Sequence, residues 1–190
     1  MSARTTTDKS YTKTAIVLHW LIALLIIGQL MGGKIMMSLD PGTFKFELFQ
    51  LHKSFGFLIL FLSILRLIWR LMHTPPSLPD GMKAVERIGA KLSHIGFYVL
   101  MIGTPLAGWA VASSSPYKIT TKIFKLIKVP DLPAFPRTEA MGDLTKDVHE
   151  ILAFAIAALL ILHIGAALKH HLVNRDDVLS RMIPRLKPKG

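Results

Sequence analysis

The chain is 190 residues long, 51% of them hydrophobic, with no cysteine and a formal charge of +11. That apolar content, at a mean hydropathy of +0.44, argues against an ordinary soluble domain and for the membrane class. Without cysteine there is no disulfide, thiolate metal site, iron–sulfur cluster or CxxCH motif.

Residues 1–13 are polar and read as a frayed tail. Four apolar stretches follow, at approximately 14–31, 51–71, 92–112 and 148–168. Each is near the roughly 20 residues that a helix needs to cross a hydrocarbon core. Little chain is left over, so residues 1–190 read as a single membrane domain: all-α, an integral membrane four-helix bundle. The first stretch follows a basic segment, as a signal peptide would. No small-residue cleavage site precedes Gly32-Gly33-Lys34, however, and His19 and Trp20 lie within the apolar run, so it reads as a retained span.

Gly32-Gly33 and Asp40-Pro41-Gly42 turn the chain through a short outer loop. The second span ends in Arg66-Leu67-Ile68-Trp69-Arg70, an interfacial Trp with cations that can snorkel, and Pro75, Pro76 and Pro79 stop it. The inner loop, residues 72–91, reads as a Pro-rich turn and an amphipathic piece over Met82–Lys91. Pro105 should kink the third span unless neighbours take up the freed carbonyl. In the long loop 113–147, Lys118, Lys122, Lys125 and Lys128 alternate with Ile119, Ile123, Phe124, Leu126 and Ile127, an amphipathic segment expected to lie on the outer surface of the membrane. The fourth span runs into Lys169-His170-His171 and a basic tail.

With both termini placed in the cytoplasm, the inner side carries 14 Lys and Arg against five acids, a net +9. The outer side carries nine against seven, a net +2. This is the positive-inside pattern, and it accounts for the basicity with no nucleic-acid partner.

Histidines inside apolar runs carry the chemistry, because an ionisable group in lipid needs a partner and marks function by default. His149 and His163 are 14 residues apart on one helix. They fall within about 40° of the same face and roughly 21 Å apart along the axis. No single metal bridges that gap, but two stacked cofactors do. By depth, His19 matches His163 near the inner side, and His52 matches His149 near the outer side. Two imidazoles on opposite faces of a porphyrin are what a low-spin b haem requires, and helix bundles build such sites from facing helices. Zinc or copper fits poorly, with two ligands per depth and no cysteine.

The residues resemble the bacterial cytochrome b561 family over nearly the whole chain. The resemblance rests on Leu18-His19-Trp20, Leu51-His52-Lys53-Ser54-Phe55-Gly56, Arg66-Leu67-Ile68-Trp69-Arg70, Ser93-His94 and His149-x13-His163. Ala167-Leu168-Lys169-His170-His171 and Asp177-Val178-Leu179-Ser180-Arg181-Met182 complete it. It implies a small dihaem b-type cytochrome of the inner membrane with His19, His52, His149 and His163 as axial ligands. It further implies electron exchange with ubiquinone and, in one branch, oxidation of superoxide at the outer face.

Around those ligands, Arg66, Arg70 and Lys53 are candidates for holding haem propionates, since a cation, and an Arg fork above all, suits a carboxylate. Topology marking is the alternative for the two arginines. Gly28 and Gly56 can let a porphyrin approach the backbone, or serve helix packing. His170, His94 and Lys91 are candidates for a quinone site on the inner side, where a His can protonate the reduced headgroup; completion of the basic belt is the alternative. His73 carries no expectation. The lysines of the outer loop can also draw a small anion such as superoxide inward. The leading expectation is an oxidoreductase that passes electrons from an outer donor, superoxide or a periplasmic redox protein, to ubiquinone. A non-catalytic conduit or membrane anchor for a redox partner is the second reading, and a metal-ion carrier the third.

Overall fold

The computed structural model describes residues 10–79, 81–117 and 119–186. Four long helices dominate: α1 (Lys13–Ser38), α2 (Thr43–Met72), α3 (Ala84–Ser114) and α4 (Glu139–Lys169). All four are long and apolar enough to cross a membrane. They outrun the apolar stretches because polar turns extend them past the hydrocarbon core. Thr12 caps α1 by accepting from Ala15 N (3.2 Å), and Thr138 caps α4 by accepting from Met141 N (3.3 Å). The Lys83 amide donates to the Glu86 carboxylate (3.3 Å) at the start of α3. Pro105 lies inside α3, which continues through it.

α1 packs on α2, α2 on α3 and α3 on α4, whereas α1 and α4 scarcely meet through their backbones. The core is a line of Leu18, Ile22, Ile26, Ile59, Leu62, Met101 and Ile156. Outward, Leu24, Phe61, Ile161 and Leu162 are more than 60% exposed, an apolar surface suited to lipid.

The loop after α3 departs from expectation. Its lysines and apolar residues form a β-hairpin, β1 (Thr121–Ile123) paired antiparallel with β2 (Ile127–Val129), rather than a surface-lying amphipathic segment. Phe124 and Lys125 make its turn at φ of 47° and 63°, closed by Leu126 N donating to Ile123 O (2.9 Å). Lys118, the first lysine of that pattern, lies outside the described residues. The hairpin is tied to the start of α2: Phe124 N donates to Ser54 Oγ (2.9 Å), Gln50 Nε2 to Thr120 O (3.2 Å), and Lys125 pairs with Glu47 (2.8 Å). The bundle thus has a hairpin end and, opposite, an end where Trp69 Nε1 donates to Thr12 Oγ1 (3.0 Å) and Trp20 Nε1 to Met182 O (2.9 Å).

Candidate functional site

At the hairpin end, His52 on α2 faces His149 on α4 with ring centroids 6.2 Å apart. At the other end, His19 on α1 faces His163 on α4, also at 6.2 Å. A metal–imidazole bond of about 2.0 Å, with the ring centre about 1.1 Å beyond the nitrogen, puts two imidazoles trans across one iron about 6 Å apart. Both pairs therefore have the separation that a shared haem iron requires. Among the described residues no three His, Cys, Asp or Glu cluster as a metal site. Each pair offers two ligands, the number a porphyrin leaves open.

Side chains and backbone around the pairs fix their orientation. His149 Nδ1 meets the Thr104 carbonyl at 3.0 Å. Gly108, one turn on, makes room for the ring: a Cβ there would stand 3.1 Å from His149 Cε1 and 3.3 Å from Nδ1. Gln29 Nε2 donates to the His52 carbonyl (2.8 Å), and His52 Nδ1 is buried with no hydrogen-bond partner. Phe97 stands edge-on to His163 at 5.1 Å. None of Gln29, Thr104, Gly108 and Phe97 is singled out by the sequence; Gly108 alone leaves a trace, a glycine soon after Pro105 in an apolar run.

His94 also approaches His163, with centroids 6.4 Å apart, so distance alone does not choose its partner. The helices differ in how they pack: α3 lies close on α4, whereas α1 and α4 have few close backbone contacts.

The charged candidates divide. Arg66 Nη1 donates to Ala15 O (2.7 Å), with Nη2 3.4 Å from His19 Nδ1. Arg70 lies 5.9 Å from the centre of the Tyr98 ring. Both arginines line one cavity with Tyr11, Trp69, His73 and Tyr98. Lys53 turns its ammonium to Thr121 Oγ1 (3.4 Å). Gly28 faces open space, and a Cβ on Gly56 would meet Gln29 Nε2 at 3.7 Å. His73, from which nothing was expected, stacks on Trp69 at 4.0 Å.

His170 sits in a π-helical turn, His170–Asn174, that prolongs α4. It is 8% exposed, with Nδ1 2.5 Å from the Asp176 carboxylate. Among the described residues no hydrogen bond, ion pair or ring contact joins it to His94 or Lys91. His94 belongs with the His19–His163 pair instead, and Lys91 is exposed.

Membrane-crossing helices with facing imidazoles at two depths define the architecture of a multi-pass membrane cytochrome. The family profile for prokaryotic cytochrome b561 matches residues 10–185, and the chain belongs to that family, one of membrane electron transfer with b-type haem. It is 28% identical over 181 residues to "Cytochrome b561 homolog 2" of Escherichia coli (strain K12), covering 94% of each chain. With "Cytochrome b561 homolog 1" of the same organism it shares 28% over 178 residues, 93% of this chain and 98% of the relative. With "Probable superoxide oxidase CybB" of Yersinia pestis it shares 30% over 182 residues, 93% of this chain and 97% of the relative.

Proposed function

We propose that this chain is a two-haem cytochrome of the bacterial inner membrane, with both termini cytoplasmic, that oxidises superoxide at the hairpin side and reduces ubiquinone at the other. The observation that carries the two-haem reading is the equal 6.2 Å separation of His52 from His149 and of His19 from His163. When bound, haem supplies one-electron redox chemistry at each depth.

His52 and His149 would hold the haem of the outer site, and His19 and His163 that of the inner one. Arg66 and Arg70 share a cavity at the inner end; Arg70 is the propionate candidate there, since Arg66 is committed to Ala15 O and stands beside His19. Lys53 is the outer candidate, and its bond to Thr121 must open for that role. At the quinone end, the Asp176 carboxylate orients His170 through Nδ1 and leaves Nε2 to pass a proton to a reduced quinone oxygen. His94 and Lys91 stay as outlying candidates for the same site. Superoxide as the donor is supported by the probable superoxide oxidase named among the relatives and by hairpin lysines that favour a small anion. The reaction balances as two superoxide ions and two protons with one quinone, giving two dioxygen molecules and one quinol.

The test is a haem count and a stopped-flow trace on purified protein. Wild type is expected to hold two haems, to be reduced by superoxide and to pass electrons to ubiquinone. His149→Ala is expected to lose one haem and keep most of the other. Two haems retained in that variant would remove the ligand pairing, and reduction only by a partner protein would favour the conduit reading.

A further inference from the structure

The two histidine pairs differ in what stands behind their rings. At the hairpin end, His149 Nδ1 faces the Thr104 carbonyl at 3.0 Å. A carbonyl only accepts, so Nδ1 carries the ring proton and Nε2 keeps its lone pair for a metal. Such a bond draws the proton outward and makes the imidazole a more basic ligand, which stabilises the oxidised metal.

At the other end the arrangement is reversed. His19 Nδ1 faces the Arg66 guanidinium at 3.4 Å; an arginine only donates, so once Nε2 ligates and Nδ1 carries the ring proton no hydrogen bond joins the two, and that proton meets a cation instead of an acceptor. Arg66 is half-buried and pinned by Ala15 O at 2.7 Å. A fixed cation in low dielectric withdraws electron density from the ligand and disfavours the more positive, oxidised iron. Among the described residues no cation is bonded to a hairpin-end ring: Lys53, next in sequence to His52, points to the Thr121 hydroxyl.

We infer that Arg66 and the Thr104 carbonyl are opposed positioning elements that make the His19–His163 site the stronger electron acceptor and the His52–His149 site the stronger donor, so that electrons run downhill from the hairpin end to the termini end. This deepens the proposed function and rests on its ligand pairs. The step is a single electron. It leaves the hairpin-end site, whose iron goes from ferrous to ferric, and arrives at the other, whose iron goes from ferric to ferrous. No bond is made or broken.

Spectroelectrochemical titration of the haem-loaded full chain tests it. The component that survives in His149→Ala identifies the termini-end potential. Arg66→Gln is expected to lower that potential by at least a tenfold change in the one-electron equilibrium, about 59 mV, and to leave the other in place. Gly108→Ala, whose new Cβ presses on the His149 ring at 3.1 Å and weakens its bond to the Thr104 carbonyl, is expected to raise the hairpin-end potential. Should Arg66→Gln lose haem, Arg66→Lys carries the test, because an ammonium cannot hold Ala15 O and back the imidazole together; a lowered potential is again expected. Two haems retained with unchanged potentials in the Arg66 variants, or both potentials moving together, overturns the inference while the ligand reading stands. Haem retained at both sites in His149→Ala sinks the ligand reading itself, and the inference with it.

Discussion

Ser54 is 1% exposed on α2, and its hydroxyl donates to Gln50 O (2.8 Å) while accepting from Phe124 N (2.9 Å). Ser54→Ala leaves the Phe124 amide facing a methyl group, a loss of about 1–3 kcal/mol for a buried donor without a partner. The hairpin should loosen rather than the bundle, so amide exchange should rise across residues 121–129 and not in α2; equal exchange in both proteins would count against the tie. The ligand candidates behave differently as objects of inference. His19, His52, His149 and His163 are legible in the sequence because a histidine in lipid is costly and depth follows from residue count. The Thr104 carbonyl is not, since a backbone acceptor has no residue type to betray it. Gln29 reads as one more polar residue in a span until its amide is seen on the His52 carbonyl.

α3 and α4 are joined at the hairpin end by Ser114 and Thr145, whose hydroxyls lie 2.8 Å apart in a buried contact, Thr145 also bonding Met141 O (2.9 Å). Bonds of this kind between membrane helices contribute about 0.6 kcal/mol on average and up to about 1.7. Thr145→Val is expected to cost within that range, measured by unfolding from mixed micelles with haem absorbance as the probe; no change would assign the joint to packing alone. The loop beyond is held by side-chain bonds: Trp109 Nε1 donates to Pro130 O (3.0 Å), Ser113 Oγ accepts from Leu132 N (2.9 Å), and Arg137 donates to Ser115 O and pairs with Asp131. Such ties decide the conformation of the lysine-rich stretch. Alternation of Lys with Ile and Leu over so few residues suits a strand or a surface helix alike. Docking on Gln50, Ser54 and Glu47, residues some 70 positions away, selects the strand. Pro105 shows the same limit, for α3 runs on through it.

For the molecule as a whole, the charge asymmetry predicts both termini in the cytoplasm and the hairpin on the far side. The absence of cysteine makes this easy to check. Leu126→Cys, at a hairpin position 85% exposed, would be the sole thiol. It should react with a membrane-impermeant maleimide in spheroplasts, and labelling only after lysis would invert the topology.

Apolar run length, the depth of each histidine and the imbalance of charge are properties of the chain in one dimension, and they determine a four-helix membrane cytochrome before any packing is known. Rotation and neighbourhood are different. A helix such as α1 is apolar almost all round because lipid and core are equally oily, so its pattern does not say which face turns inward. Only packing decides that α1 stands off from α4 while α3 closes on it, and that both His19 and His94 come up to His163. Only packing, too, brings a carbonyl to His149 and a guanidinium to His19.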